Sequence, residues 1–416
     1  MKKWLSMSIA LMLIIGVLAA CSSGGSEKSS SKGKDEVVFW APFSGPDGPN
    51  MKQIVDEFNK SQDKHFVKLQ IVPQTDYYKT VDLSLNGKKD SPELLIMHGD
   101  QIITYANKGV IKSIDDIIGD TVKKENYHEN AWKGTEVDGK LYGVPLDIHP
   151  LMFYWNKTLF KEAGLDPEKP PTNREEFIDM AQKLTDKDKQ QWGFVVPTLW
   201  PQQFIFPTIV YQNGGELISD GKVDYTSPEV VDALTFLRDL IDKYNVSPAD
   251  VQQDGEMNMF LQGKNAMHFN GPWMMNQFDE SKLDYGVSPV PRLGTKQDAV
   301  FANSHNFVIP ESVKDEKKIE AITDFLNYVG ENGMAWAESG QAPASKAVYE
   351  SDEFGKMKQQ PQVAKQFDYA QYSPSVENWG PISDPLYKAV NEVLLGQKEA
   401  EKALEEAEKE SQAQLK

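Results

Sequence analysis

The stretch "VVFWAPFSGPDGPNMKQIVDEFNKSQDKHFVKLQIV" (37–72) decides the class of fold. "VVFW" (37–40) is a short apolar run suited to a buried strand. Met51, Ile54, Val55 and Phe58 then recur at helical spacing, and "FVKLQIV" (66–72) alternates with the period of a strand. A second helical stretch follows around 76–86, and "ELLIM" (93–97) is another apolar strand. Strand–helix–strand–helix–strand with short links predicts an α/β fold built on a parallel sheet with right-handed crossovers. Ligands of such sheets bind beyond the carboxyl ends of the strands, beside a switch in strand order. The pattern therefore singles out the loop from Trp40 to Asn50 and the residues His98 to Gln101 as neighbours on one edge.

The chain around this core has 416 residues, too many for one ordinary core and suited to two domains. Its formal charge of −18 argues against a nucleic-acid backbone as partner and says little about a neutral small ligand. At the N-terminus, Lys2 and Lys3 precede an apolar run from Ile9 to Ala20, shorter than the ~20 residues a spanning helix needs. Ala19 and Ala20 then mark a cleavage site, so residues 1–20 read as a signal peptide. "LAAC" (18–21) resembles the bacterial lipoprotein signal, in which the cysteine becomes the lipid-carrying first residue; palmitate-type acylation at Cys21 is the expectation. An ordinary signal with a chance cysteine is the alternative. Cys21 is the only cysteine, so no intramolecular disulfide can form. Residues 21–35, rich in Ser, Gly and Lys, read as a flexible tether.

Helix signals punctuate the remainder. "TNRE" (172–175) reads as a Thr-x-x-Glu capping box before Phe177. Ser227 and Pro228 suit the start of a helix whose stripe is Val230, Leu234, Leu237 and Ile241. Gly330 is placed to stop a helix carrying Ile319, Ile322, Leu326 and Val329, and the charged C-terminal stretch reads as a solvated helix end.

Signatures of catalysis and cofactor binding are missing: there is no G-x-G-x-x-G, Walker loop, H-E-x-x-H or G-x-S-x-G. The six histidines are scattered without metal-ligand spacing, so neither a metal nor a cofactor is expected. "DKDKQQWG" (186–193) starts like a calcium loop but lacks its glycine and its glutamate, and reads as a turn. What stands out is aromatic residues in turn-rich stretches: "FWAPFSGPDGPN" (39–50), "PTLWPQQF" (197–204), "FNGPWMMNQF" (269–278) and "YSPSVENWGPI" (372–382). A pyranose has apolar C–H faces and a rim of hydroxyls, so its pocket wants flat aromatic surfaces beside Asp, Asn, Gln and His. Each stretch offers both kinds, although tryptophans of this sort also serve as core.

Three segments carry a family resemblance. "DGKLYGVPLDIHPLMFYWNKTLFKEAGLDPEKPPTNREEF" (138–177), "MFLQGKNAMHFNGPWMM" (259–275) and "YSPSVENWGPISDPLYKAV" (372–390) are similar to a lobe-crossing strand, a Gly-Pro-Trp turn and a late ligand-facing segment of the maltose-binding-protein-like group. The chain resembles extracellular solute-binding proteins of carbohydrate ABC importers from about residue 36 to 400. The resemblance implies a two-lobed periplasmic-binding-protein-like α/β fold of type II, with hinge strands and a ligand cleft between lobes. By analogy the N-terminal lobe is 36–147 plus 304–345, and the C-terminal lobe is 148–303 plus 346–416.

It also implies residue roles. Phe43 and Ser44 line the cleft after a Trp40 that favours the core. Asp100 holds hydroxyls, with a helix cap as its structural alternative, and His98 stands beside it. His149 replaces a glutamate of maltose-type relatives, which puts maltose itself in doubt. Trp273 is the foremost stacking residue, followed by Trp379 and Trp200. Asn303 and His305, at the second crossing, either reach ligand or hydrogen-bond hinge backbone. Arg174 reads as a surface change. The expected protein is a monomeric, non-enzymatic receptor, lipid-anchored on the extracellular face of a membrane, with a Gram-positive outer surface favoured by the tether. Its expected partners are a carbohydrate and the transmembrane subunits of an ABC permease. The alternatives are the same fold binding a polyamine or other non-sugar solute, and a surface-anchored glycoside hydrolase.

Overall fold

A computed structural model describes residues 33–87, 91–117 and 122–415. The signal segment, Cys21 and most of the tether lie outside the described residues. Every element below belongs to the unit Asp35–Lys416. Among the described residues no helix is long and apolar enough to cross a membrane.

The opening stretch folds as its periodicity predicts. Strand β1 (Asp35–Ala41) leads through helix α1 (Gly48–Ser61) to β2 (His65–Ile71), then through α2 (Tyr77–Gly87) to β3 (Leu94–His98) and helix α3 (Gly99–Asn107). β1 lies between β2 and β3 and is parallel to both, so the strand order reverses at β1. Met51, Ile54, Val55 and Phe58 are the buried face of α1, as their spacing requires.

Further along come β4 (Val144–Pro145), β5 (His149–Pro150), β6 (Met152–Asn156) and β7 (Trp192–Phe194). They are followed by β8 (Asn265–Asn270), β9 (Tyr285–Ser288), β10 (Val300–Asn303), β11 (His305–Val308) and β12 (Ala370–Gln371). These strands build one sheet in the order β2-β1-β3-β11-β4, a second in the order β9-β6-β8-β7, and a small third, β12-β10-β5. The chain passes from the first sheet to the third and second between β4 and β6, and returns between β10 and β11. Only Ser304 separates those last two strands. The turn of Gly134 presses against this point: a Cβ on Gly134 would lie 2.6 Å from Ser304 Oγ, so no larger residue fits without displacement.

Several local expectations need correction. Helix α4 (Arg174–Leu184) is capped by Asn173, not Thr172: the Asn173 carboxamide accepts the Glu176 N–H at 3.0 Å. Glu176 in turn accepts the Thr172 N–H at 2.8 Å, so the motif is displaced by one residue. Arg174 is no idle surface change. Its guanidinium donates to Asp232 at 2.7 Å, donates to the Leu293 carbonyl and lies over the Phe236 ring at 4.3 Å. It ties α4 to helix α6 (Pro228–Asp242), which follows α5 (Gln202–Gln212). Ser227 stands at the N-cap of α6 but makes no capping hydrogen bond. Helix α7 (Glu316–Asn332) runs through Gly330 and ends before Gly333. At the C-terminus, α9 (Ala400–Gln412) buries Ala403, Leu404 and Ala407 and packs along α8 (Trp379–Leu394), so its apolar face is core rather than solvated.

Candidate functional site

A cavity of about 470 Å³ opens where the first sheet meets the other two, within the size range of small-molecule pockets. Its walls follow from the topology. Pro42–Asp47 come from the carboxyl end of β1, and His98 to Gln101 from the end of β3, the two sites beside the strand switch. His149 lies on β5, while Asn303 and His305 flank the one-residue joint between β10 and β11. Strand register does the gathering: His305 pairs with His98, and Asn303 pairs with His149.

The opposite wall is aromatic. Trp200 and Trp273 lie with ring centroids 6.3 Å apart and planes 28° from parallel, and Phe204 meets Trp273 edge-on at 5.7 Å. Gly271 makes this possible, because a Cβ there would come within 2.0 Å of the Trp273 ring. The Trp273 indole therefore folds back over the end of β8. Facing it, Asp100 accepts the Asn303 amide at 2.9 Å and the Gln101 amide at 2.8 Å. Asp100 is thus not a helix cap: its carboxylate bonds side chains rather than backbone N–H groups of α3. Asn303 bonds hinge backbone, its carbonyl oxygen accepting the Ser304 N–H at 2.9 Å, and it lines the cavity with its amide donating to Asp100 at 2.9 Å.

Beneath the cavity lies Asp147, which the sequence reading passed over and which is fully buried. One carboxylate oxygen accepts His149 Nδ1–H at 2.9 Å and the His305 backbone N–H at 3.0 Å. The other accepts His305 Nδ1–H and Trp336 Nε1–H, both at 2.8 Å. Burial opposes its ionisation, yet the facing His305 and His149 outweigh burial and hold the carboxyl well below the usual carboxylate range. His149 is held below the ordinary histidine value by burial, then by the charge of His305. His98 is held further below it by burial, with His305 and His149 adding to the effect. Tyr78 partners His98: its hydroxyl is 2.6 Å from Nδ1 and accepts the His98 backbone N–H at 3.0 Å.

The cavity brings together Phe43, Ser44, His98, Asp100 and His149 with Trp200, Trp273, Asn303 and His305. Trp379 is not among the lining residues. It begins α8 with its indole buried in the core. Its segment instead braces α3: the Asn378 N–H donates to Thr104 Oγ1 at 2.9 Å, and the Asn107 amide donates to Glu377 at 2.6 Å. Trp40 also stays outside, donating from Nε1 to Gln70 across β1 and β2. Sequence reasoning missed Tyr78, Gln203, Phe204 and Gln341, all of which line the cavity. Phe204 was legible inside the aromatic stretch 197–204; Tyr78 carried no signal of its own. The histidines, scattered along the chain, converge in space: candidate ligand atoms of His98, His149 and His305 all lie within 4.8 Å of one another.

Residues 53–365 match the model of a family described as bacterial extracellular solute-binding protein. The chain belongs to that family. This solute-binding protein is 26% identical to the galactooligosaccharide-binding protein of Bacillus subtilis (strain 168), over 96% of this chain and 94% of the relative. It is similar in structure to an ABC transporter solute-binding protein from Thermotoga lettingae bound with α-D-tagatose: TM-score 0.79 and 24% identity, covering 92% of this chain and 100% of that one. The GacH receptor of Streptomyces glaucescens, solved unliganded and with acarbose, gives a TM-score of 0.80 at 21% identity, covering 92% and 98%. These likenesses establish the two-lobed periplasmic-binding-protein-like α/β architecture. The family and these neighbours are binding proteins, so the cleft of this solute-binding protein captures its solute rather than transforming it.

Proposed function

We propose that the chain is the receptor of an ABC importer, capturing a neutral sugar or oligosaccharide and presenting it to the permease. The observation that carries this reading is the pairing of the Trp200–Trp273 wall with the Asp100–Asn303 pair across one cavity. The aromatic faces suit the C–H faces of a pyranose, and a carboxylate already aligned by an amide accepts strong hydrogen bonds from hydroxyls. Among the described residues no lysine or arginine lines the cavity, which disfavours phosphorylated or acidic sugars. Relatives that bind galactooligosaccharides, tagatose and acarbose support the ligand class.

The lobes of this reading are 36–147 plus 304–345 and 148–303 plus 346–416. Hinge closure over ligand is general to periplasmic binding proteins, and ligand contacting both lobes stabilises the closed state by its differential affinity. Lipidation at Cys21 would hold the receptor on the extracellular face of the membrane. A Cys21→Ala chain found in the medium rather than the membrane fraction supports the anchor; retention in the membrane sinks it.

Calorimetric titration of the full chain with mono- and oligosaccharides, galacto- and malto-series included, tests the ligand class. One-to-one heat with the sugar recovered intact is expected, and Trp273→Ala should weaken it about 10- to 100-fold. Silence across the panel overturns the sugar reading. A polyamine is the second reading, favoured by Asp47 and Asp100 in a lining that holds no lysine or arginine among the described residues. Saturable heat with spermidine alone would establish it.

A further inference from the structure

We propose that His98, His149 and His305 form a binding site for a divalent transition-metal ion of zinc-like preference, with an open coordination position towards the cavity they line. The hydrogen bonds fix which ring atoms are available. Asp147 occupies Nδ1 of both His149 and His305, which leaves Nε2 as the ring atom of each that is free to ligate. Tyr78 occupies Nδ1 of His98, and its hydroxyl has lone pairs for both Nδ1–H and the His98 backbone N–H when Nε2 is engaged. None of the three Nε2 atoms makes a hydrogen bond among the described residues. A carboxylate or hydroxyl behind each ligating imidazole is the outer shell that metal-binding histidines use to fix tautomer and orientation.

The distances agree. Zinc–nitrogen bonds of ~2.0–2.1 Å in a tetrahedron hold donors about 3.3 Å apart. One ring nitrogen of each of the three histidines already lies within 4.8 Å of the other two, a gap that small imidazole rotations can close. Among the described residues no lysine or arginine lines the cavity to repel a cation. Three imidazoles leave a fourth position for water or a hydroxyl of the captured solute, the pattern of open rather than structural sites. The site does not depend on that solute being a sugar.

The test is titration of the chelator-stripped full chain with Co²⁺, followed by visible absorption, and with Zn²⁺ in competition. One equivalent with tetrahedral-type d–d bands is expected. His98→Gln and His305→Gln should each weaken uptake at least ~100-fold, and Tyr78→Phe, a milder change should the histidine variants fail to fold, about 10- to 100-fold. His65→Gln, in the separate surface group His65, Glu320 and Asp324, should change nothing at this site. No saturable uptake at micromolar ion, or uptake that survives Tyr78→Phe and both histidine changes, overturns the proposal. The sugar panel repeated with excess chelator separates the two readings. Full sugar affinity in a chain that takes up no ion leaves the sugar reading standing and the imidazoles as plain hydroxyl acceptors; ion uptake without any sugar heat does the reverse.

Discussion

At the cleft floor, Asp147 is fully buried and its two oxygens accept four hydrogen bonds. In the four-stranded sheet, His268 is just as deeply buried on β8, stacked on Phe260 at 5.2 Å and edge-on to Phe278. Its Nδ1 has no hydrogen-bond partner among the described residues, and burial pushes its titration down to about 3. Beside β8, Glu256 is 2% exposed with no ion pair among the described residues, and burial pushes its carboxyl up to about 7. Burial is the same in both places. The difference is the supply of partners: where donors are arranged the charged form persists, and where they are absent the neutral form wins.

The most damaging way to break this contrast is Asp147→Asn. The amide sets an N–H against donors that need an acceptor, and unfolding in denaturant should show a loss of about 3–5 kcal/mol. An unchanged midpoint would mean that the four hydrogen bonds contribute little. Glu256→Gln should act in the opposite direction. A carboxyl raised from 4.5 to about 7 keeps its proton longer in the folded than in the unfolded chain. Its stability contribution is complete below pH 4.5 and is lost as pH rises to about 7. Above that the glutamine variant should be more stable by about 3 kcal/mol, with the two chains converging near pH 4.5. Parallel stability curves across that window would refute the assignment.

His268→Leu probes the reverse sign in the same sheet. The unfolded chain takes up a proton below 6.5 while the folded histidine stays neutral until about 3, so native stability falls as pH falls through that window. Between pH 8 and pH 5 the wild-type chain should lose about 2 kcal/mol relative to the leucine variant, read as the change in the difference between their two stability profiles. The windows of Glu256 and His268 overlap between pH 4.5 and 6.5 and oppose one another there. The wild-type profile will therefore look flatter than either group alone implies.

What the sequence disclosed followed the range of the interaction. Periodicity located β1, α1, β2 and β3, and the strand-order rule then named both loops that border the cavity. The aromatic turns located Trp200 and Trp273, because a tryptophan beside Gly-Pro or Pro-Gln is a local pattern. The family resemblance placed His98, His149 and His305 at the cleft, but their clustering was not legible, since it exists only once β11 pairs with β3 and β10 with β5. No spacing along the chain encodes that register. Trp379 shows the converse: a turn-rich aromatic segment of similar composition braces α3 because Thr104 and Asn107 lie where its backbone passes. Cap positions erred by one residue because Thr172 and Asn173 are both competent caps, and only backbone direction chooses between them.

Ser304 leaves a joint one residue long between two sheets, with Asn303 and His305 immediately on either side. Any swing about such a pin moves atoms in proportion to their distance from it. The floor would stay nearly still while an exposed lining residue such as Gln74 swept a longer arc. Fluorophores or spin labels at the rim would read the opening angle with high gain, and labels at the floor would be blind to it. The receptor would hold its solute at the pivot, where recognition geometry is least disturbed, and display its state at the far end of the lever, where a docking partner could sense it.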